Sequence, residues 1–258
     1  MSSALRAEWV KLRTVPGPAW LLAAVVAATV TLGAVVDAAA RCPAGHCAAD
    51  PVKGSLTGVY LSQALVVILA VTAVSGEYST GMIHLTLAAT PRRATVLAAK
   101  GILVAGLVLA AGAVAVLGAL LAGRLILPGH GFTAGHGYLP LSLTVGPVLR
   151  ATGGTVLYLV LVALLSLGVA AAVRDTAAAA GTVLGLLYVV PLVAAGLGGS
   201  ALARHLEQVA PMTAGLAIQA TAGLGHQPIS PWAGLGVLAA WAAAALIAGG
   251  LLLQHRDA

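Results

Sequence analysis

Few residues in this sequence carry groups that do chemistry, and their spacing sets narrow limits on what that chemistry is. The lysines are Lys11, Lys53 and Lys100, preceded by Val10, Val52 and Ala99. A phosphate-cradling loop ends in Gly-Lys-Ser/Thr, so the sequence offers no place for nucleotide hydrolysis. It holds seven histidines, yet neither His-Glu-x-x-His nor Gly-x-Ser-x-Gly occurs. A hydrolase working inside a membrane would need a nucleophile with its base, or a pair of metal ligands, at depth. The seven acids, Glu8, Asp37, Asp50, Glu77, Asp175, Glu207 and Asp257, fall at or beyond the ends of the apolar stretches. That disfavours a carrier coupled to protons or sodium through buried carboxylates. The expectation is a protein that is not an enzyme and holds no cofactor or metal of its own.

Two smaller groupings have competing readings. Cys42 and Cys47 lie in Arg41-Cys42-Pro43-Ala44-Gly45-His46-Cys47, where Pro43, Ala44 and Gly45 would form the turn of a small disulfide loop in an oxidising exterior. Free thiols are the second reading. A metal site using His46 is the third, with too few ligands for structural zinc. In Gly129-His130-Gly131 and Gly135-His136-Gly137 two histidines on a flexible loop could bind a metal, but the favoured reading is a glycine-rich connector. Gly181-x-x-x-Gly185 fits a helix-packing spacing, a weak signal in a chain with 32 glycines.

The elements that must position these residues follow from composition. Of 258 residues 60% are apolar and 8% charged, and the mean hydropathy is +1.03; an ordinary soluble domain has about 25% charged residues. Such a chain cannot cover its apolar surface in water and is far from the composition of disorder, so its solvent is largely lipid. The net charge of +6 reports basic residues near anionic lipid rather than nucleic-acid binding. Runs of about 20 apolar residues cross about 30 Å of hydrocarbon as helices. Six are found, near 18–36, 56–75, 101–123, 151–173, 176–197 and 232–253, and helices satisfy every backbone group in lipid. The fold class expected is all-α, a polytopic integral membrane protein of six transmembrane helices. The loops are too short for a separate globular domain, leaving a single transmembrane domain over 1–258.

With the N-terminus inside, Arg6, Lys11, Arg13, Arg92, Arg93, Lys100, Arg174 and Arg256 are cytoplasmic, and Arg41, Lys53, Arg124, Arg150 and Arg204 are external. This bias puts both termini in the cytoplasm. Upstream of the first span, Leu5, Trp9 and Leu12 share a helical face while Arg6, Glu8, Lys11 and Arg13 lie elsewhere, the pattern of an interfacial helix ended by Pro16. Arg174 and Asp175 read as capping residues at an inner turn. Arg204 and Glu207, spaced i and i+3, read as a surface ion pair.

The segment from Gly76 to Lys100 stands out. Thr90-Pro91 has the form of an N-cap followed by proline at the first helical position, so a helix starting there and running to about Gly123 would be roughly 50 Å long at 1.5 Å per residue. Its start, with Arg92 and Arg93, would protrude into the cytoplasm. Before it, Met82, Leu85 and Ala89 share one face with Ile83 and Leu87 alongside, a short amphipathic helix over 80–89. Glu77 would favour the N-terminus of that helix or pair with Arg92 or Arg93.

Glu77-x-x-x-Gly81, the short apolar helix Met82-Ile83-His84-Leu85, and Ala89-Thr90-Pro91-Arg92-Arg93 with Lys100 seven residues on resemble the coupling region of type-two ABC-exporter permeases. Glu8-Trp9-x-Lys11-Leu12-Arg13 is similar to that family's N-terminal interfacial helix. Arg174-Asp175-Thr176-Ala177 resembles its inner turn, and Leu206-x-x-x-Ala210-Pro211-x-x-Ala214-Gly215 its outer segment with short re-entrant helices. His84 departs from the pattern, which more often has arginine there. The resemblance implies a cytoplasmic coupling helix resting on a separate ABC ATP-binding subunit, which would bind ATP and magnesium. It also implies a second permease copy, identical or related, and a hinge role for Glu77 between that helix and the second span. An ATP-independent secondary carrier and a non-transporting scaffold or sensor subunit are the alternatives.

The first 40 residues also suit a secretory signal with Ala38-Ala39-Ala40 as its cleavage site, but the apolar run exceeds the usual 7 to 15 residues of such a signal. The intact mass of the protein from native membranes should therefore include residues 1–40; a chain starting beyond Ala40 would refute an N-terminal span.

Overall fold

The structure is a computed structural model and describes residues 6, 9–10, 14–42, 50–79, 93–133, 135, 138 and 140–255. Six of its helices are long and apolar enough to cross a membrane, the build of a multi-pass membrane protein, and among the described residues the regular structure is all helical.

The first span, α1, is Pro16–Ala39, opened by a proline whose missing N–H falls where a helix has no use for it. The chain then forms a short helix that hydropathy does not reveal, α2 at Pro51–Ser55, whose N-cap Asp50 accepts from the Lys53 amide at 3.2 Å. After a turn at 56–58 follows α3, Val59–Ser79; the expected start at Leu56 is thus three residues early, because Leu56 belongs to the close of α2. Next comes α4, Arg93–Ile126, 34 residues or about 50 Å of helix, continued by a 3-10 turn Leu127–His130.

The fourth span, α5, runs Gly146–Val173 and so begins five residues before the expected Ala151. Arg150 marked a boundary by its charge, yet it sits inside the helix because its guanidinium reaches the Ala220 carbonyl at 2.5 Å. Arg174 ends α5 with a left-handed backbone, φ 64°, and Asp175 caps the next helix by accepting from the Ala178 amide at 2.7 Å. These are the capping roles their spacing suggests. The fifth span is composite: α6 (Thr176–Leu184), a π-helical turn Gly185–Val189, and α7 (Val190–Gly196). Pro191 lacks the N–H that would continue an α-helical ladder and crowds the preceding turn, so the wider π turn lies immediately before it. The 198–231 segment holds α8 (Ala201–Val209) and α9 (Pro211–Leu216) with a 3-10 turn Ala217–Gln219. The last span is α10, Pro231–His255.

In α3 and in α5, 56% of the span is buried inside the protein, against 17% in α1 and 22% in α10. The first pair therefore forms the middle of the bundle and the second faces lipid. Leu32 and Val35 on α1 and Ile247 and Leu251 on α10 are exposed apolar residues of the lipid-facing kind. Trp20 near the start of α1 and Trp232 at the start of α10 are also exposed, at opposite ends of the bundle, where indole rings sit at headgroup level. The main core joins α3, α4, α5, α6 and α10; a smaller one around Leu56, Leu127, Phe132 and Leu141 lies under the loops at one end.

Close backbone approach holds α5 to α10. A Cβ on Gly168 would lie 2.5 Å from the Ala245 carbonyl carbon and 2.6 Å from the Leu246 nitrogen, whereas one on Gly153 would meet nothing within 4 Å. Without a hydrophobic force between helices in lipid, such contact carries much of the association. Gly181 and Gly185, by contrast, meet no atom within 4 Å, so their spacing packs nothing among the described residues. Gly168→Ala should destabilise the protein by about 1–3 kcal/mol through overpacking, read as a lower midpoint of thermal unfolding in detergent, while Gly153→Ala should leave the midpoint unchanged or slightly raised.

Candidate functional site

Two ends of the bundle and one buried network concentrate the polar groups. The end that holds the C-terminus of α3, the N-terminus of α4 and the α5–α6 turn is here the Lys100 end; the opposite one is the Asp50 end.

At the Lys100 end, Lys100 is 6% exposed and donates from Nζ to the Ala73 carbonyl on α3 at 3.0 Å. A cation bonded to a carbonyl across two helices contributes about 1.5–3 kcal/mol, and this one fastens α4 to α3 seven residues after α4 begins at Arg93. Arg174 reaches the Leu252 carbonyl on α10 at 3.5 Å, closing the same end. Of the residues expected to couple to a partner, Glu77 lies in the last turn of α3 and Arg93 opens α4. Gly81, Met82, Ile83, His84, Leu85, Pro91 and Arg92 lie outside the described residues, as does the 80–89 helix. Trp9 is helical and exposed, and Lys11, Leu12 and Arg13 lie outside the described residues.

At the Asp50 end a single carboxylate joins α2 to the 198–231 segment. Besides capping α2, Asp50 accepts from the Thr221 hydroxyl at 2.7 Å through Oδ1, and from the Thr221 and Ala222 amides at 2.5 and 2.9 Å through Oδ2. With Arg150 held by Ala220, the return of the 198–231 segment is tied to α2 and α5. Nearby, the Cys42 amide donates to the His130 carbonyl and the His130 ring nitrogen Nδ1 donates to the Ala40 carbonyl, both at 2.9 Å. His130 is thus a pin between loops rather than part of a plain connector. Cys42 is wholly buried and disulfide-bonded, so Tyr138 Oη donates to its Sγ at 3.2 Å; Cys47 lies outside the described residues. Arg204 turns to the Gly199 carbonyl at 3.0 Å instead of pairing with Glu207, since the carbonyl at the preceding turn is within its reach.

Between the ends, Gln63 of α3 is fully buried. Its Oε1 accepts from Tyr158 Oη of α5, and its Nε2 donates to the Tyr60 carbonyl at 3.3 Å and lies 3.3 Å from the Met212 sulfur of α9. Tyr188, in the π turn, donates to the same Tyr60 carbonyl. The network therefore joins α3, α5, the fifth span and α9 at one point. Sequence reasoning passed over Gln63, Tyr158 and Tyr188, although a glutamine inside an apolar span is itself a signal. It also placed every acid at or beyond a span end. Asp37 is a correction: α1 continues to Ala39, and Asp37 within it is 1% exposed.

Compared with known proteins, the chain matches no family model, and no curated protein matches it.

Asp50→Ala removes the acceptor for four donors, each worth about 0.5–1.5 kcal/mol or more to a charged group. It should destabilise the fold by about 2–4 kcal/mol and open the 198–231 segment to protease in reconstituted membranes, whereas a variant as stable and as protected as wild type would remove the organising role given to this carboxylate.

Proposed function

We propose that this chain is the membrane-spanning permease subunit of an ATP-driven exporter of the ABC type, located in the cell membrane with both termini cytoplasmic. The observation that carries the reading is α4. Its 34 residues make about 50 Å of helix, about 20 Å more than the hydrocarbon needs. Lys100 ties α4 to α3 about 10 Å along that helix, counted from Arg93 at 1.5 Å per residue. A force applied to the segment between α3 and α4 would reach two spans through that bond. The resemblance of 76–100 to the coupling region of type-two exporters names the source of such a force, an ATP-binding subunit docked on Met82, Ile83 and Leu85, with Glu77, His84 and Arg93 near the contact. A second permease copy, identical or related, would complete the pathway. Transport on this reading needs only two helix arrangements whose balance the ATPase shifts, and the lipid bilayer is the remaining partner.

A second reading has one observation in its favour. Asp37 is a carboxyl buried within a span, the kind of group an ion-coupled carrier uses; such a carrier would work without ATP.

Affinity purification of the tagged protein from native membranes in mild detergent tests the choice. An ATPase should co-purify with wild type and be lost from a Met82→Asp, Leu85→Asp double variant that still inserts. Wild type reproducibly free of ATPase, under conditions that preserve a known exporter complex, together with substrate flux that ignores ATP, would replace the proposal by the carrier.

A further inference from the structure

Asp37 occupies a niche built from the absence of side chains. Gly54 of α2 and Gly123 of α4 flank its carboxyl: a Cβ on Gly54 would lie 3.6 Å from Oδ1, and one on Gly123 would lie 2.8 Å from Oδ2 and collide with the Ser55 hydroxyl. Any residue other than glycine at 123 would displace the acid. Oδ2 is buried and accepts no hydrogen bond from the described residues. Asp37 also lies in the last turn of α1, where the aligned carbonyls disfavour an anion. An ionised carboxylate here would be desolvated, unpaired on one oxygen and at the wrong end of a helix dipole.

The neighbouring hydroxyl sharpens the argument. Ser55, whose hydroxyl lies beside the Asp37 carboxyl next to Gly123, donates to the Pro51 carbonyl at 3.0 Å. A serine has one O–H to donate and two lone pairs to accept with. With its proton on Pro51, Ser55 leaves an ionised Asp37 without a donor among the described residues, whereas a neutral acid could give its own proton to the Ser55 oxygen. An ionised Asp37 would instead draw the Ser55 proton away from the α2 backbone.

Among the described residues, charged and titratable groups on the surrounding segments do not replace the proton. Asp50 is engaged by Lys53, Thr221 and Ala222 amides and the Thr221 hydroxyl, and His130 Nδ1 by Ala40. Arg124 is exposed, while Arg41 and Lys53 complete the set among the described residues of the segments flanking α1 and α2. One carboxylate and one hydroxyl are too few oxygens for the six or more a calcium or magnesium ion takes.

A route to the medium is present as well. A cavity of about 310 Å³ lined by Arg124, Phe132, Thr133, Leu141 and Ser142 opens at the Asp50 end. Its wall Leu141 reaches within 3.0 Å of the same point beside Gly123 that Asp37 approaches.

We propose that Asp37 is a proton-binding site served from the medium at the Asp50 end through this cavity, with Leu141 as the barrier. Binding forms an O–H bond on the carboxylate and breaks one O–H bond of a hydronium ion from the medium, which leaves as water. The neutral acid donates to Ser55 and lets α1 pack on α2 and α4; loss of the proton puts an unpaired charge at that junction and loosens it. The site stands whether or not an ATPase drives the protein, and its failure would leave the coupling reading untouched.

Infrared difference spectroscopy of the purified full-length protein in lipid, titrated with acid and base, tests it. A C=O stretching band of a buried protonated carboxyl should be present at acidic pH, vanish as the pH is raised, be missing from Asp37→Asn and move in Ser55→Ala. In Leu141→Ala, which keeps the acid, the deuterium shift of that band should develop faster after transfer to D₂O. No band difference between wild type and Asp37→Asn at any pH would overturn the site, a band answering to added sodium or potassium at fixed pH would assign it to a metal ion instead, and an unchanged exchange rate in Leu141→Ala would overturn the route.

Discussion

Hydrocarbon offers no partner for a polar group, so every cation, hydroxyl and amide in the spans must find one on another part of the chain. With 13 basic residues and seven acidic ones, this protein could not settle its cations against carboxylates even if all were in reach. It uses carbonyls. Lys100 goes to Ala73, Arg150 to Ala220, Arg174 to Leu252 and Arg204 to Gly199, and the Trp241 indole donates to the Val209 carbonyl at 3.0 Å. Lys100, Arg150, Arg174 and Trp241 thus each join a second segment, whereas the exposed Arg204 bonds within its own. Oδ2 of Asp37 and the amide of Gln219, fully buried and unpartnered among the described residues, are departures from that rule.

Seen this way, the two ends differ in kind. At the Lys100 end, among the described residues, long side chains reach between long helices: Lys100 from α4 to α3 and Arg174 to α10. The Asp50 end is closed by a carboxylate with several short bonds to one loop, backed by a small core of its own.

The six spans were legible because twenty apolar residues in lipid have one economical conformation. Their ends were less so wherever a charge was taken as a boundary. Arg150 lies inside α5, since a long side chain carries its charge to a carbonyl beyond the helix, and Asp37 lies inside α1, since packing on two glycines removes it from solvent altogether. The short helix α2 left no hydropathy signal, only Asp50-Pro51, a cap and a first-turn proline that read correctly in retrospect. Contacts such as Gln63 to Tyr158, 95 residues apart, follow from how helices rotate against one another, which no local pattern encodes. For the proposed coupling residues the sequence remains the main witness, since only Glu77 and Arg93 of that set, as backbone positions, fall among the described residues.

The π turn at Gly185–Val189 carries a consequence for how this fold tolerates change in chain length. One surplus residue is absorbed there, and in a helix each residue turns the following side chains by about 100°. Removing one residue from the turn would restore a uniform helix and swing Leu192 and Val193, now exposed, toward different neighbours. Tyr188 would lose its line to Tyr60. Elsewhere in the spans an identity can change while the count stays fixed; at this turn the count itself is a coordinate, setting which face of the fifth span meets lipid.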